Sequence, residues 1–134
     1  MDKEEKLDLA LYRINRAKED IETAQLLFDN GKYRESNNRA YYSIFHAIRS
    51  ILALEKKDFK RHKDVLGYFN LKYVKTEIFP RELGRKIHSA SNIRDDSDYE
   101  DFFIATREEA EKQINTAKMM LELVEKYVEE NKKT

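Results

Sequence analysis

Ala10-Leu11-Tyr12-Arg13-Ile14-Asn15-Arg16-Ala17-Lys18-Glu19-Asp20-Ile21-Glu22-Thr23-Ala24 decides the fold class, because alanine returns at every seventh position, 10, 17 and 24. On the adjoining row Leu7, Ile14, Ile21 and Phe28 repeat with the same period. Two neighbouring apolar rows at this spacing form one face of an α-helix, and an alanine row lets another backbone approach closely. Asn30-Gly31 is expected to end the helix, since either residue tolerates the left-handed conformation of a helix C-terminus. The far end of the chain repeats the pattern. Thr106-Arg107-Glu108-Glu109 reads as a capping box, and behind it Ala110, Ala117 and Val124 alternate with Ile114, Leu121 and Val128. This last helix is expected to run to about Lys126 to Glu130. The two alanine rows predict that the first and last helices pack together, with Ala24 or Ala17 near Ala117.

Between these ends, a second helix is expected from about Lys32, with Ala40, Ile44, Ala47, Ile51 and Leu54 facing inward and the apolar stripe fading at Lys56-Lys57-Asp58. The short connection makes it an antiparallel neighbour of the first. Val65, Leu66, Phe69 and Val74 predict a shorter third helix within Arg61 to Lys75. Pro80 suits a first helical turn, so a fourth helix is expected from Pro80 to about Arg94 through Leu83, Ile87 and Ala90, broken by Asp95-Asp96-Ser97-Asp98. The predicted fold is all-α, an antiparallel up-and-down four-helix bundle with a short additional helix, forming a single domain over residues 1–134. Three Gly, one Pro and 39% charged residues agree with long solvated helices.

Lys plus Arg and Asp plus Glu number 26 each, so the net charge is zero and diffuse attraction to nucleic acid or an anionic membrane has no support. Any such binding must be local. The lack of Cys removes disulfides and thiolate metal sites and fits a reducing compartment. No apolar run approaches membrane-spanning length, and Asp2-Lys3-Glu4-Glu5-Lys6 lacks the apolar stretch of a signal peptide. A soluble, cytoplasmic protein without membrane attachment is expected.

Two places carry chemistry. In Tyr41-Tyr42-Ser43-Ile44-Phe45-His46-Ala47-Ile48-Arg49, residues Tyr42, His46 and Arg49 lie at spacings of four and three, so they share one face of the second helix and are positioned to line a pocket. Tyr41, Tyr42 and Phe45 are equally suited to a core or a dimer interface, with His46 hydrogen-bonded among them. Asn92-Ile93-Arg94-Asp95-Asp96-Ser97-Asp98-Tyr99 joins a guanidinium, carboxylates and a phenol at a helix boundary, where they can converge on a phosphate. The alternative is a helix stop with Arg94 paired to a neighbouring carboxylate. The histidines at 46, 62 and 88 have no metal-ligand spacing, and neither a nucleophile elbow nor a phosphate-cradling glycine loop is present, so no metal and no cofactor is expected.

The order of these motifs resembles a known family. Gly31-Lys32-Tyr33, Arg39-Ala40-Tyr41-Tyr42-Ser43-Ile44-Phe45-His46-Ala47, Arg61-His62-Lys63, Arg94 with Asp98-Tyr99, and the Thr106-Arg107-Glu108-Glu109-Ala110 helix together resemble the prokaryotic HEPN domain family, in its branch with Tyr-Tyr-x-x-Phe-His and Arg-x-x-x-Asp-Tyr. The resemblance implies a dimerising four-helix bundle that acts beside a small nucleotidyltransferase as a toxin and antitoxin pair. Many such domains are metal-independent ribonucleases whose motif is an Arg followed after four to six residues by a His. In some partnered members the nucleotidyltransferase adenylylates a Tyr near that motif. Here positions 99 to 101 are Tyr99, Glu100 and Asp101, so no His follows Arg94 at the motif spacing.

The leading expectation is therefore a HEPN-type module, nucleotide- or RNA-associated, a homodimer partnered with a nucleotidyltransferase. Arg94 would contact a phosphate, Asp98 would orient Arg94 or His46, and Tyr99 would donate a hydrogen bond or accept adenylylation. Tyr42 and Arg49 would complete the binding face, and His46 is the candidate proton carrier. The alternative is a non-catalytic helical dimer that binds the nucleotidyltransferase or a nucleotide. The aromatics Tyr33, Tyr41, Tyr42, Phe45 and Tyr68 exceed what one small helical core needs, and some are expected at a two-fold interface.

Overall fold

The computed structural model describes residues 2–132, which form five α-helices and one π-helical turn without any strand. Helix α1 spans Lys3–Asp29 and α2 Tyr33–Leu54. The short α3, His62–Phe69, runs directly into a π-helical turn at Asn70–Val74. Helices α4, Glu82–Tyr99, and α5, Arg107–Lys132, complete the chain. The four long helices pack as an antiparallel up-and-down bundle, and α2 is its most enclosed member, touching every other α-helix.

The helix ends follow the local chemistry. Asp2 caps α1 through the Glu5 amide at 2.8 Å, and Gly31 takes φ +74 in the turn after it. At α5 the Glu109 amide donates to Thr106 Oγ1 at 3.1 Å while the Thr106 amide donates to Glu109 Oε1 at 3.2 Å, the reciprocal pair of a capping box.

The alanine row of α1 meets α2 as well as α5. Ala10, Ala17 and Ala24 are fully buried. The Ser36 and Ser43 hydroxyls of α2, seven positions apart, donate to the Ala24 and Ala17 carbonyls, both at 2.8 Å. Only small side chains on both helices permit that approach. Against α5, Ala17 shares a core cluster with Ala117, as expected, whereas Ala24 sits one heptad away with Ala110 and Ile114. The inner face of α2 includes Ala40, Ile44, Ala47 and Ile51, all fully buried, with Leu54 only partly covered.

Two elements differ from the sequence expectation. The third helix does not continue uniformly to Lys75. It widens at Asn70, where the Lys75 amide reaches the Asn70 carbonyl at 2.8 Å, and this brings Tyr73, Val74 and Phe79 into the core. Helix α4 begins at Glu82, two residues after Pro80, and is not broken by Asp95-Asp96-Ser97-Asp98 but continues to Tyr99. Carboxylates near a helix C-terminus oppose its dipole. Here α2 offsets that cost: Asn37 Nδ2 donates to buried Ser97 Oγ at 3.1 Å and Asn38 Nδ2 to Asp98 Oδ2 at 2.8 Å.

The aromatic surplus is largely consumed within the chain. Tyr41 and Phe45 are buried, Tyr33 packs edge-on against Phe28 with ring centroids 5.5 Å apart, and Tyr68 lies against Phe59 at 5.4 Å. These residues therefore supply no argument for a two-fold interface. The exposed large apolar groups are others, among them Tyr12, Leu26, Phe102 and Ile104.

Replacing Ser43 by Ala removes one buried hydrogen bond and is expected to cost about 1 kcal/mol. Ser43→Leu, which forces the α1 and α2 backbones apart, should cost at least about 2 kcal/mol. Urea denaturation measures both, and a Ser43→Leu midpoint equal to that of the wild type would contradict the close approach.

Candidate functional site

Arg94 is the hub of the polar chemistry on α4. Its side chain is 15% exposed, and Nη2 donates to Tyr42 Oη at 2.8 Å across the α2–α4 interface. Nε lies 3.1 Å from Asp98 Oδ2, one turn further along the helix, and Nη1 lies 3.3 Å from Asp95 Oδ1. Three phenol rings surround the guanidinium, with centroids 5.1 Å (Tyr41), 5.3 Å (Tyr42) and 5.8 Å (Tyr99) from Cζ. Burial works against the charge, but Tyr42, Asp98 and Tyr99 more than offset it and hold the Arg94 pKa above its ordinary value. The result is a cation fixed in direction before any ligand arrives. Asp98 lies in ion-pair distance of Arg94 and is itself held by Asn38. Tyr99 stands at the end of α4 and is 71% exposed.

The structure separates the residues expected to join Arg94 from α2. Tyr42 touches it, and Arg39 also lies over the phenol ring, at 5.0 Å from the centroid. His46 is turned toward α1, where Nε2 lies 3.6 Å from Asp20 Oδ2, and Asp20 is also held by Arg39 at 3.1 Å. Burial, and then Arg16, Arg49, Arg39 and Arg13, push the His46 pKa down to about 4. The imidazole is thus neutral near pH 7. Arg49 pairs with Asp58 at 3.0 Å in the segment after α2. Tyr42, His46 and Arg49 share a helix face, but none of them lines the cavity that Arg94 lines.

The cavity that Arg94 lines opens on another side. It lies between α3 with its π-helical turn and α4, measures about 1220 Å³, and takes Tyr41 rather than Tyr42 from the central helix. Gly84 makes the junction at its base close: a Cβ there would fall 2.9 Å from Asn70 Oδ1. His62 stacks on Phe45 with centroids 4.0 Å apart, and its Nδ1 is 3.1 Å from the Tyr41 hydroxyl. Burial pushes the Tyr41 phenol up to about 12, so Tyr41 stays protonated. Burial, together with Arg94 and Arg49, lowers the His62 pKa. When neutral His62 accepts the Tyr41 hydroxyl hydrogen bond at Nδ1, its ring proton is on Nε2.

Sequence reasoning placed His62 only within a motif and missed Arg81, Arg85 and His88 as groove residues. A signal was present, since positions 81, 85, 88 and 92 recur at helical spacing, the last three on one face of α4 and Arg81 at its N-cap. Among the described residues no three His, Asp or Glu side chains converge closely enough to hold a metal ion, and no helix is long and apolar enough to cross a membrane.

The HEPN domain family profile matches residues 10–127. A UPF0332 protein of Thermotoga maritima is 30% identical, over 96% of this chain and 98% of its own length. A Methanocaldococcus jannaschii protein bearing the name "Putative toxin MJ0605" is 34% identical, over 85% of this chain and 84% of its own. A second protein of that organism, "Putative toxin MJ0142", is 29% identical over 86% of this chain and 78% of its own.

Because His46 is held below its unfolded pKa of about 6.5, the unfolded chain takes up the proton first as pH falls. Stability supplied by neutral His46 is full above pH 6.5 and is lost progressively toward pH 4. Burial raises the Asp20 pKa and contributes with the opposite sign in the carboxylate range, so the diagnostic is the difference between wild type and His46→Gln from pH 6.5 to 5. The wild type should lose more stability over that interval than the variant. A His46 ring that titrates above pH 6 by NMR would contradict this.

Proposed function

The chain belongs to the HEPN domain family, and on that footing we propose that it is the single-domain toxin-like module of a two-component system, acting on RNA as a homodimer beside a small cytoplasmic nucleotidyltransferase. The observation that carries the reading is Arg94, a mostly buried guanidinium aligned by Tyr42 and Asp98 yet lining an open cavity. Such a group is suited to a phosphodiester oxygen, whose charge grows as a nucleophile adds to phosphorus. Neutral His46 is the proton carrier in this proposal, acting from beside the Tyr42–Arg39 pair. Exposed Tyr99, whose ring lies against Arg94, is the acceptor for the partner: its phenol oxygen attacks the α-phosphorus of ATP and loses its proton to solvent, pyrophosphate leaves, and the bulky adenylate then obstructs Arg94.

The relatives named as toxin candidates support the toxin-like part of this proposal. One observation favours a second reading, a non-catalytic helical dimer that binds the nucleotidyltransferase or a nucleotide. His46 does not line the cavity that Arg94 lines, so this proton carrier and the Arg94 phosphate contact do not meet in one chain.

Incubation of the purified protein with cellular RNA separates the two. Cleavage by the wild type, reduced roughly 100-fold or more by Arg94→Ala and also lost in His46→Gln, supports the nuclease. Equal cleavage by all three proteins would end that reading. With the neighbouring nucleotidyltransferase and ATP present, the adduct should be found by mass spectrometry on Tyr99 and should disappear in Tyr99→Phe.

A further inference from the structure

The chain as a whole is neutral, but its charges are not evenly spread. The groove between α3 with its π-helical turn and α4 is lined by Lys63, Lys75, Arg81, Arg85 and Arg94 against one carboxylate, Asp95. His62 and His88 add two further nitrogen ligands for an anion. Arg94 is engaged by Asp95 and Asp98, and Arg81 by Glu77 at 3.0 Å. Among the described residues no carboxylate lies within ion-pair distance of Lys63, Lys75 or Arg85, and all three are exposed. Such a concentration of one sign in a cleft raises the local concentration of an anionic ligand.

The arrangement also sets the ligand's length. From Arg81 to Arg94 along α4 is a rise of about 20 Å at 1.5 Å per residue, so one phosphate or a compact triphosphate cannot meet the whole row. A nucleic acid strand presents a charge every ~3.4 Å or more and can. A cleft walled by two neighbouring helices within one chain suits a single strand, whose bases are free to turn inward. Polar groups that read base edges are present on the walls, with Asn70 on one side and Ser91 and Asn92 on the other.

We propose that this groove binds a single strand of RNA, with the sugar-phosphate backbone following Lys63, Lys75, Arg81 and Arg85 and ending at Arg94. The inference rests on the RNA-directed reading above and assigns to it residues distinct from the Arg94–Tyr42–Asp98 cluster. Entry of phosphate beside His62 also opposes the field that Arg94 and Arg49 impose on that ring, adding to the effect of Asp95, so bound RNA should raise the His62 pKa.

Fluorescence anisotropy with a labelled unstructured RNA dodecamer tests the groove. A Lys63→Ala, Lys75→Ala, Arg85→Ala triple variant should bind at least tenfold more weakly near 0.1 M salt, with a salt slope shallower by about 2, since each single-strand contact contributes ~0.7. Gly67 lines the groove, and a Cβ there meets no atom within 4 Å. Gly67→Leu therefore fills groove space without changing charge or fold, and should weaken binding as well. The same RNA annealed to its complement should bind more weakly, and 1 mM ATP should not displace the single strand. Wild-type affinity in both variants, tight binding of the duplex alone, displacement by ATP, or no RNA binding by the wild type would each overturn the assignment. RNA that binds through these residues without being cut leaves the groove assigned and removes the nuclease. Unchanged cleavage by the triple variant removes the groove and leaves the nuclease.

Discussion

Two serine hydroxyls on α2, donating to two alanine carbonyls on α1, hold this bundle in register. Each bond adds only about 1 kcal/mol net, but an unmade one would leave a buried hydroxyl at a cost of ~1–3 kcal/mol, so the pairing discriminates strongly against a shifted arrangement. It is possible because Ala17 and Ala24 present no side chain beyond a methyl. Once α1 covers that face, the rotation of α2 is set. Ile44, Ile48 and Ile51 enter the core, and Asn37, Asn38 and Tyr42 turn toward α4.

The α2–α4 seam converts that geometry into chemistry. Asn37 holds Ser97, Asn38 holds Asp98 and Tyr42 holds Arg94, three cross-helix contacts in antiparallel order. They keep α4 helical through an acidic segment that would otherwise favour unwinding, and they fix the guanidinium by the same means. Stability at the C-terminal end of α4 and the direction of the Arg94 side chain are therefore one property, and a change to either Asn affects both.

What was legible in the sequence was what local periodicity controls. The heptads of α1 and α5, the end at Gly31, the inward face of α2 and the Thr106–Glu109 cap all follow from interactions within a few turns of one helix. The continuation of α4 past Arg94 was not legible, because the partners of Ser97 and Asp98 stand about sixty positions away on α2. Nor was the π-helical turn, which exists to seat Tyr73 and Phe79 against Phe69 and Tyr127. At the site, Arg94, Asp98, Tyr99 and Tyr42 were found by residue type and do lie together. His46 and Arg49 share their helix face with Tyr42 on paper, but Asp20 and Asp58 draw them elsewhere. The basic groove escaped notice because net charge sums over the chain, while Lys63, Lys75 and Arg85 meet only in space.

The turn between α1 and α2 also bears on how the molecule assembles. Only Asn30, Gly31 and Lys32 separate the two helices, so their contacts close a very short loop and carry little entropic penalty. The densest interface in the protein is therefore also among its most local in sequence, the combination that favours rapid formation. An early α1–α2 hairpin would expose the remaining apolar face of α2 as a template on which α5, arriving from the other end of the chain, could dock. On that view Gly31, far from the groove, governs the speed at which the groove comes into being.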